Sequence, residues 1–316
     1  MRKTIKTFLE TTIFLSLISL SVLLTVRTDL SNAVLDGVNL WFACVMPTLF
    51  PYMIITALLS SLSITGKIFS LFSPITTRLF RVNGSVSYAF FTSVISGYPV
   101  GASAVADLKS RGLLSDTEAV RACALCSTSS PVFTIASVGG IMFKNHLFGL
   151  FLFVSHITAV ILTGIIFSFY KRKEKPTVTP FLSQGKKVDN LLYESVFSSV
   201  LSLLTVCGLI TIFYLLTEIL FSLGILKPFT YLFGESLTLG AFECTKGLKA
   251  LAKKGVNFFS LPIATAICSF GGLSVIMQSL AFIKKAKIKT APFIISKIIC
   301  AVIGFGLGCV FSPLIN

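Results

Sequence analysis

The sequence predicts an all-α polytopic membrane protein, a single membrane domain over 1–316 built from two inverted halves, each with a re-entrant hairpin and a discontinuous helix. Three observations carry this reading. The chain is 54% apolar and 12% charged, where a soluble domain carries about 25% charged residues, and several apolar runs approach or exceed the ~20 residues that cross a bilayer. Two of those runs are interrupted by small polar knots, "CSTSSPVF" and "CSFGGLSV". Two further segments, 86–106 and 236–252, are too rich in small residues or too charged to lie in lipid as plain spans.

In chain order, "MRKTIK" precedes an apolar run over 8–26. It has no A-x-A-like cleavage site and membrane segments follow, so it reads as a retained extra helix outside the repeat and not as a secretory signal. The first half covers 38–170. It opens with a span, 38–62, in which Trp41 reads as an interfacial anchor and Pro47 and Pro51 as the source of a kink. Residues 86–112 make the first hairpin: "SGYPVGASAVADL" closes on Asp107, Lys109 and Arg111. "LSDTEAVR" places Ser115 or Asp116 as the cap of the first broken helix, 117–142, with Glu118 in its first turn. A plain span over 147–170 completes the half, and "KRKEKPTVTPFLSQGKK" marks 171–190 as a cytoplasmic loop. The second half, 193–313, repeats the order: a span over 193–223, a hairpin over 228–254, a broken helix over 257–283 and a span over 292–313.

Local matches support the repeat. "ACALCS" aligns with "TAICS" at a separation of 142 residues (Ser127 on Ser269), with Ala122 on Ala264, and "LFSPITTRLFRVNG" before the first hairpin is similar to "LKPFTYLFGES" before the second. Three crossings per half invert the second half, which is the arrangement of an inverted-repeat transporter fold.

The net charge is +15, from 27 Lys and Arg against 12 Asp and Glu. In a soluble chain this would suggest nucleic acid; here it is assigned to cytoplasmic loops, and no nucleic-acid partner is expected. Lys67, Arg78, Arg81, Lys109, Arg111, Arg121 and Lys284 to Lys289 then lie on the side of the N-terminus and the 171–190 loop, the cytoplasmic face of a multi-pass protein of the cell membrane. Lys246, Lys249, Lys253 and Lys254 of the second hairpin fall on the outer side, against the rule. Of the eight Cys, most sit in apolar runs and read as small buried hydrophobes. Cys123 and Cys126 have C-x-x-C spacing, but no second pair or nearby His completes a metal site, so no metal and no cofactor is expected. Neither H-E-x-x-H nor G-x-x-x-x-G-K-[ST] occurs, so an intramembrane enzyme lacks support and the chain by itself hydrolyses no ATP.

The interrupted helices mark the candidate site. Unwinding a helix in the bilayer strands backbone groups at several kcal/mol each unless they are satisfied, and half-helix N-termini favour anions. In the first break Ser127, Thr128, Ser129 and Ser130 supply hydroxyls and Pro131 restarts the helix. In the second, Gly271 and Gly272 permit the break while Ser269, Ser274 and Gln278 supply polar groups. The hairpin tips, Gly97–Gly101 with Tyr98, and "FECTKG" with Glu243, Thr245 and Lys246, approach the same midplane. Close packing and interhelical hydrogen bonding is the competing account of small and hydroxyl residues in membrane helices. Glu243 reads either as a ligand or coupling group or as a partner of Lys246; Lys246 either meets an anionic substrate or neutralises Glu243; Gln278 either reaches the site or bonds across helices.

"LWFACVMPTLFPYMI", the block from "SGYPVGASAVADLKSRG" to "CSTSSPVFTIASVGGIMF", "ECTKGLKALA" and "FGGLSVIMQS" together resemble the YlbJ family of sporulation integral membrane proteins. That family belongs to the nucleoside-recognition (Gate) group, with concentrative nucleoside transporters and the membrane core of bacterial ferrous-iron transporters. The resemblance covers nearly the whole chain beyond the first helix. It implies a secondary-type transporter of a small anionic metabolite, with dipicolinate moved across the outer forespore membrane during sporulation. It also implies that the hairpins and breaks (Gly97–Gly101, Ser127–Pro131, Glu243 and Ser269–Ser274) form the substrate and cation sites. "GYPVG" lacks the Gln-Thr-Glu-like cluster of the nucleoside transporters, which tells against a nucleoside. The alternatives are a nucleoside or other small-solute transporter of the Gate group, or a non-transporting sporulation membrane scaffold. The coupling cation stays open between sodium, a proton and none; the lipid bilayer is the expected surroundings, and related transporters suggest a homo-oligomer.

Overall fold

The computed structural model describes residues 28–62, 68, 71–177 and 190–315. The helix expected over 8–26 and most of the 178–190 stretch lie outside them. Among the described residues every regular element is helical. Among those residues, four helices are long and apolar enough to cross a membrane, His146–Ser168, Leu191–Ser222, Ser260–Lys285 and Thr290–Leu314, and the bent pair Leu30–Val45 with Leu49–Leu59 makes a fifth if it counts as one span.

Helix α1 (Thr28–Leu40) passes through a π-helical turn, Trp41–Val45, into α2 (Met46–Ser61). The bend is 58° and Pro47, which has no N–H to continue the helical ladder, lies in it. The described helix already covers the ten residues before the apolar pattern, because Asp36 and Gly37 interrupt that pattern without interrupting the helix. Trp41 is therefore mid-helix and buried in the core, which corrects its reading as an interfacial anchor.

A short helical turn, Ser73–Ile75 continued by Thr76–Phe80, leads to α3 (Val86–Ser96) and α4 (Tyr98–Ser110), which join at Gly97. The opening of α5 (Asp116–Leu125) is a capping box: Glu118 N–H donates to Ser115 Oγ at 3.2 Å and Ser115 N–H to the Glu118 carboxylate at 2.9 Å. Lys109 meets Asp116 at 2.6 Å and holds its carboxyl below the usual carboxylate range, tying the end of α4 to the start of α5. The chain leaves the helix at Cys126 and resumes at Pro131 as the π-wound α6 (Val132–Met142), followed by α7 (His146–Ser168).

After the loop come α8 (Leu191–Ser222), the short α9 (Lys227–Phe233), and a second helix pair, α10 (Glu235–Phe242) and α11 (Cys244–Ala252), which join at Glu243. Helices α12 (Ser260–Phe270) and α13 (Gly272–Lys285) are separated at Gly271, and α14 (Thr290–Phe311) ends the bundle. The order span, short helix, helix pair, broken helix, span thus occurs twice.

Among the described residues the core has two apolar clusters. One takes Ala89 and Val105 of the first helix pair, Ala119 to Leu125 of α5, and Ile276 and Ile283 of α13. The other takes Leu248 and Leu251 of the second pair, Phe133 and Val138 of α6, and Leu261 to Cys268 of α12. Each broken helix changes cluster at its break, and the two do so in opposite directions. Outward faces such as Leu201, Leu204 and Ile212 of α8 and Ile298, Val302 and Val310 of α14 are exposed and apolar, as lipid contact requires.

Arg121, counted with the loop charges in the sequence, is buried. Its guanidinium donates to the carbonyls of Arg81 at 2.7 Å, Tyr170 at 2.7 and 3.0 Å, and Lys171 at 2.9 Å, locking the end of α7 onto α5. Beyond it, Thr177 N–H donates to Glu118 at 2.9 Å and the Thr177 carbonyl accepts from Asn83, so the first residues of the loop fold back on the same end.

Candidate functional site

Between Cys126 and Ser130 backbone groups have left the helical ladder inside the core, and side chains from distant elements take them up. Thr128 N–H donates to Ser93 Oγ at 3.2 Å, and the two hydroxyls bond at 2.8 Å. Ser129 N–H donates to His156 Nε2 at 2.8 Å. Ser130 Oγ accepts the Phe133 N–H at 3.2 Å, capping the restarted helix one residue before Pro131. The Ser127 carbonyl and hydroxyl face the ammonium of Lys297 at 3.4 and 3.2 Å.

The second break is narrower. Gly271 and Gly272 have φ of +84° and +76°, a left-handed pair that costs an L side chain roughly 1–2 kcal/mol at each position. Just before it, the Cys268 carbonyl accepts the Tyr98 hydroxyl and Ser269 Oγ lies 3.0 Å from His156 Nδ1. Because Nε2 accepts from Ser129, the ring proton sits on Nδ1 and is donated to Ser269. His156 therefore ties one break to the other.

The helix-pair tips seat on these breaks. Gly97, at φ +93°, lies in ordinary contact with the first break at Ser130, and a Cβ at Gly101 would strike the Cys126 carbonyl. At Gly272 a Cβ would lie 2.9 Å from the Gly240 carbonyl and 3.0 Å from Cys244 N, at the second tip. Tyr98 crosses from the first tip to the second break, its ring edge-on to His156 at 6.2 Å.

Above this junction a cavity opens. Its walls are apolar, from Val45, Leu49, Met53, Phe133, Val206 and Ile210; its polar groups come from Ser96, Tyr98, Ser129, Ser130, Thr245, Ser274 and Gln278. The hydroxyls of Ser96 and Ser274 are buried with no hydrogen-bond partner among the described residues. Buried hydroxyls normally have one; others without a partner, such as Ser155, Ser236 and Ser279, lie elsewhere in the core, and Ser96 and Ser274 are the two that line the cavity.

Of the residues singled out in the sequence, Gly97, Tyr98, Ser129, Ser130, Thr245, Ser274 and Gln278 line the cavity. Gly101, Ser127, Thr128, Ser269, Gly271 and Gly272 lie behind it and build the breaks. Glu243 and Lys246 do not line it. The Glu243 carboxylate caps α11 by accepting the Lys246 N–H at 2.6 Å. The Lys246 ammonium turns away, to Glu218 at 2.6 Å, Thr217 at 3.1 Å and the Tyr214 ring at 3.8 Å, so no side-chain pair with Glu243 forms. It faces a second, more polar cavity that also takes Asp36, Glu235, Lys249, Lys253 and Lys254.

Two central residues, His156 and Lys297, are absent from the sequence-based site. Lys297 had a signal, a lone charge in the apolar run "FIISKIICAVIGFG". His156 had none, because its partners lie 27 and 113 residues away.

The all-helical fold, its long apolar helices and their apolar outward faces define the class: an all-helical, multi-pass membrane protein. Over 296 residues the chain is 26% identical to the sporulation integral membrane protein YlbJ of Bacillus subtilis (strain 168), covering 83% of this chain and 72% of that one. No family model and no solved structure matches it.

Proposed function

We propose that this chain is a sporulation membrane protein of the YlbJ family and the Gate group, acting as a secondary-type transporter of a small anion, with dipicolinate moved across the outer forespore membrane as its substrate. The observation that carries the reading is the convergence of two helix breaks and two hairpin tips on one cavity holding two unpartnered hydroxyls. A membrane scaffold has no need of interrupted helices around a cavity, whereas a carrier uses them to replace a solute's hydration shell. The similarity to the Bacillus subtilis protein supports the sporulation assignment.

In this reading the helix pairs are re-entrant hairpins, and the opposite passage of the two broken helices between the core clusters reflects an inverted repeat. The N-terminus and the 171–190 loop face the cytoplasm. A flat aromatic dianion suits the site: the apolar walls take the ring, and the hydroxyls with the N-terminal end of α6 at Ser130 take carboxylates. Lys297 beneath Ser127 and Tyr98 supplies positive charge.

Equilibrium binding of radiolabelled dipicolinate to the purified protein tests the site. Saturable binding that benzoate, with one carboxylate, competes for only weakly is expected. Equal competition by benzoate, or preferential binding of uridine, would contradict the anion reading and favour another solute.

A further inference from the structure

Lys297 is 2% exposed in the middle of α14, and it makes no ion pair among the described residues. What surrounds its ammonium is electron-rich and uncharged: Ser127 Oγ at 3.2 Å, the Ser127 carbonyl at 3.4 Å and the face of the Tyr98 ring at 4.7 Å from its centroid. These are the surroundings a cation needs, and a carbonyl freed by helix unwinding together with a hydroxyl is how a broken helix holds a small metal cation. Here the positive charge arrives on a side chain and cannot dissociate.

The position also couples parts of the site. Through Ser127 the ammonium holds the first break, and beneath Tyr98 it supports the residue whose hydroxyl reaches Cys268 at the second. Removing the charge would leave the Ser127 carbonyl and hydroxyl without that donor. A dissolved cation of suitable size is the simplest replacement.

We propose that Lys297 is a tethered cation standing where a sodium ion would otherwise sit at the first break, so that the protein needs no dissolved sodium to organise its site. The consequence for transport, that anion uptake is indifferent to sodium, rests on the carrier reading above; the structural role of Lys297 does not. As a positioning residue it acts through Ser127 and Tyr98 and does not line the cavity.

The test follows thermal unfolding of the purified protein as sodium chloride replaces choline chloride at constant ionic strength. Wild type is expected to show no saturable sodium-specific rise in Tm. Lys297→Gln, which keeps a hydrogen-bonding amide but no charge, is expected to melt lower and to recover saturably with sodium and not with choline. A sodium-specific rise in wild type, or a Lys297→Gln variant indifferent to sodium, would overturn the proposal. If that variant does not fold, the wild-type titration decides alone. Dipicolinate uptake by wild type is expected to proceed equally in either salt, and sodium-dependent uptake would also overturn it. A complete lack of uptake would count against the carrier reading only, leaving the unfolding titrations to judge Lys297.

Discussion

Ser274 and His156 are both buried polar residues beside the cavity, and their removal should have opposite signatures. Ser274 Oγ has no protein partner among the described residues, so Ser274→Ala breaks no internal hydrogen bond. Its stability should stay within about 1 kcal/mol of wild type, while the loss of one ligand hydrogen bond weakens dipicolinate binding roughly 10-fold. Unfolding and binding measured on one preparation check the pair of outcomes. His156 satisfies the Ser129 N–H and the Ser269 hydroxyl at once. His156→Phe strands both, and at about 1–3 kcal/mol for each unsatisfied buried group its melting temperature should fall well below that of Ser274→Ala. At this scale sequence reading was weakest. Hydroxyl-rich and glycine-rich stretches announce a break, but the groups that satisfy a broken backbone come from distant positions that no local pattern encodes. Lys297, 170 residues from Ser127, is the same case, although its isolation among apolar residues was visible. Glu243 stands out in the sequence as an acidic residue in an apolar stretch, and in the structure its carboxylate accepts the Lys246 N–H as a helix cap.

Among the elements, the second break depends on backbone shape. At Gly272 an added methyl meets both a left-handed φ and the backbone of the second helix pair. Gly272→Ala should therefore destabilise by at least about 2 kcal/mol, combining the left-handed cost with displaced backbone contacts. Gly306→Ala in α14 is the contrast. Open space surrounds that position, and replacing a mid-helix glycine should be neutral or stabilise by about 0.5–1 kcal/mol. Thermal unfolding of the two variants side by side separates a functional break from mere scarcity of side chains. The interruption of the helices at Ser127–Ser130 and Gly271 was legible because proline, hydroxyl residues and paired glycines alter backbone preference locally. The helical course of 28–37 was not, because Asp29, Asp36 and Gly37 break the apolar pattern there. Trp41 was misplaced for the same reason.

For the whole molecule, the apolar outward faces place it in a bilayer, and the twofold order of elements bears on how it sits there. With the second half inverted, the two helix pairs enter from opposite sides. Single cysteines at Arg172 and Lys253, in an otherwise cysteine-free chain, should react with an impermeant thiol reagent from opposite faces of oriented vesicles. Labelling of both from one face would remove the inversion. The second hairpin's lysines looked anomalous in the sequence because the positive-inside rule counts charges without their partners. In the structure Lys246 pairs with Glu218, and Lys249, Lys253 and Lys254 share a cavity with Asp36 and Glu235.

Uptake of radiolabelled dipicolinate into proteoliposomes containing the purified protein is the most direct test of the central claim. Saturable uptake is predicted for wild type, strongly reduced in Ser274→Ala and abolished in Gly272→Ala, with Gly306→Ala like wild type. No uptake by a folded wild-type protein, or uptake unchanged in all three variants, would contradict the claim that the junction of the two breaks carries a small anion across the membrane.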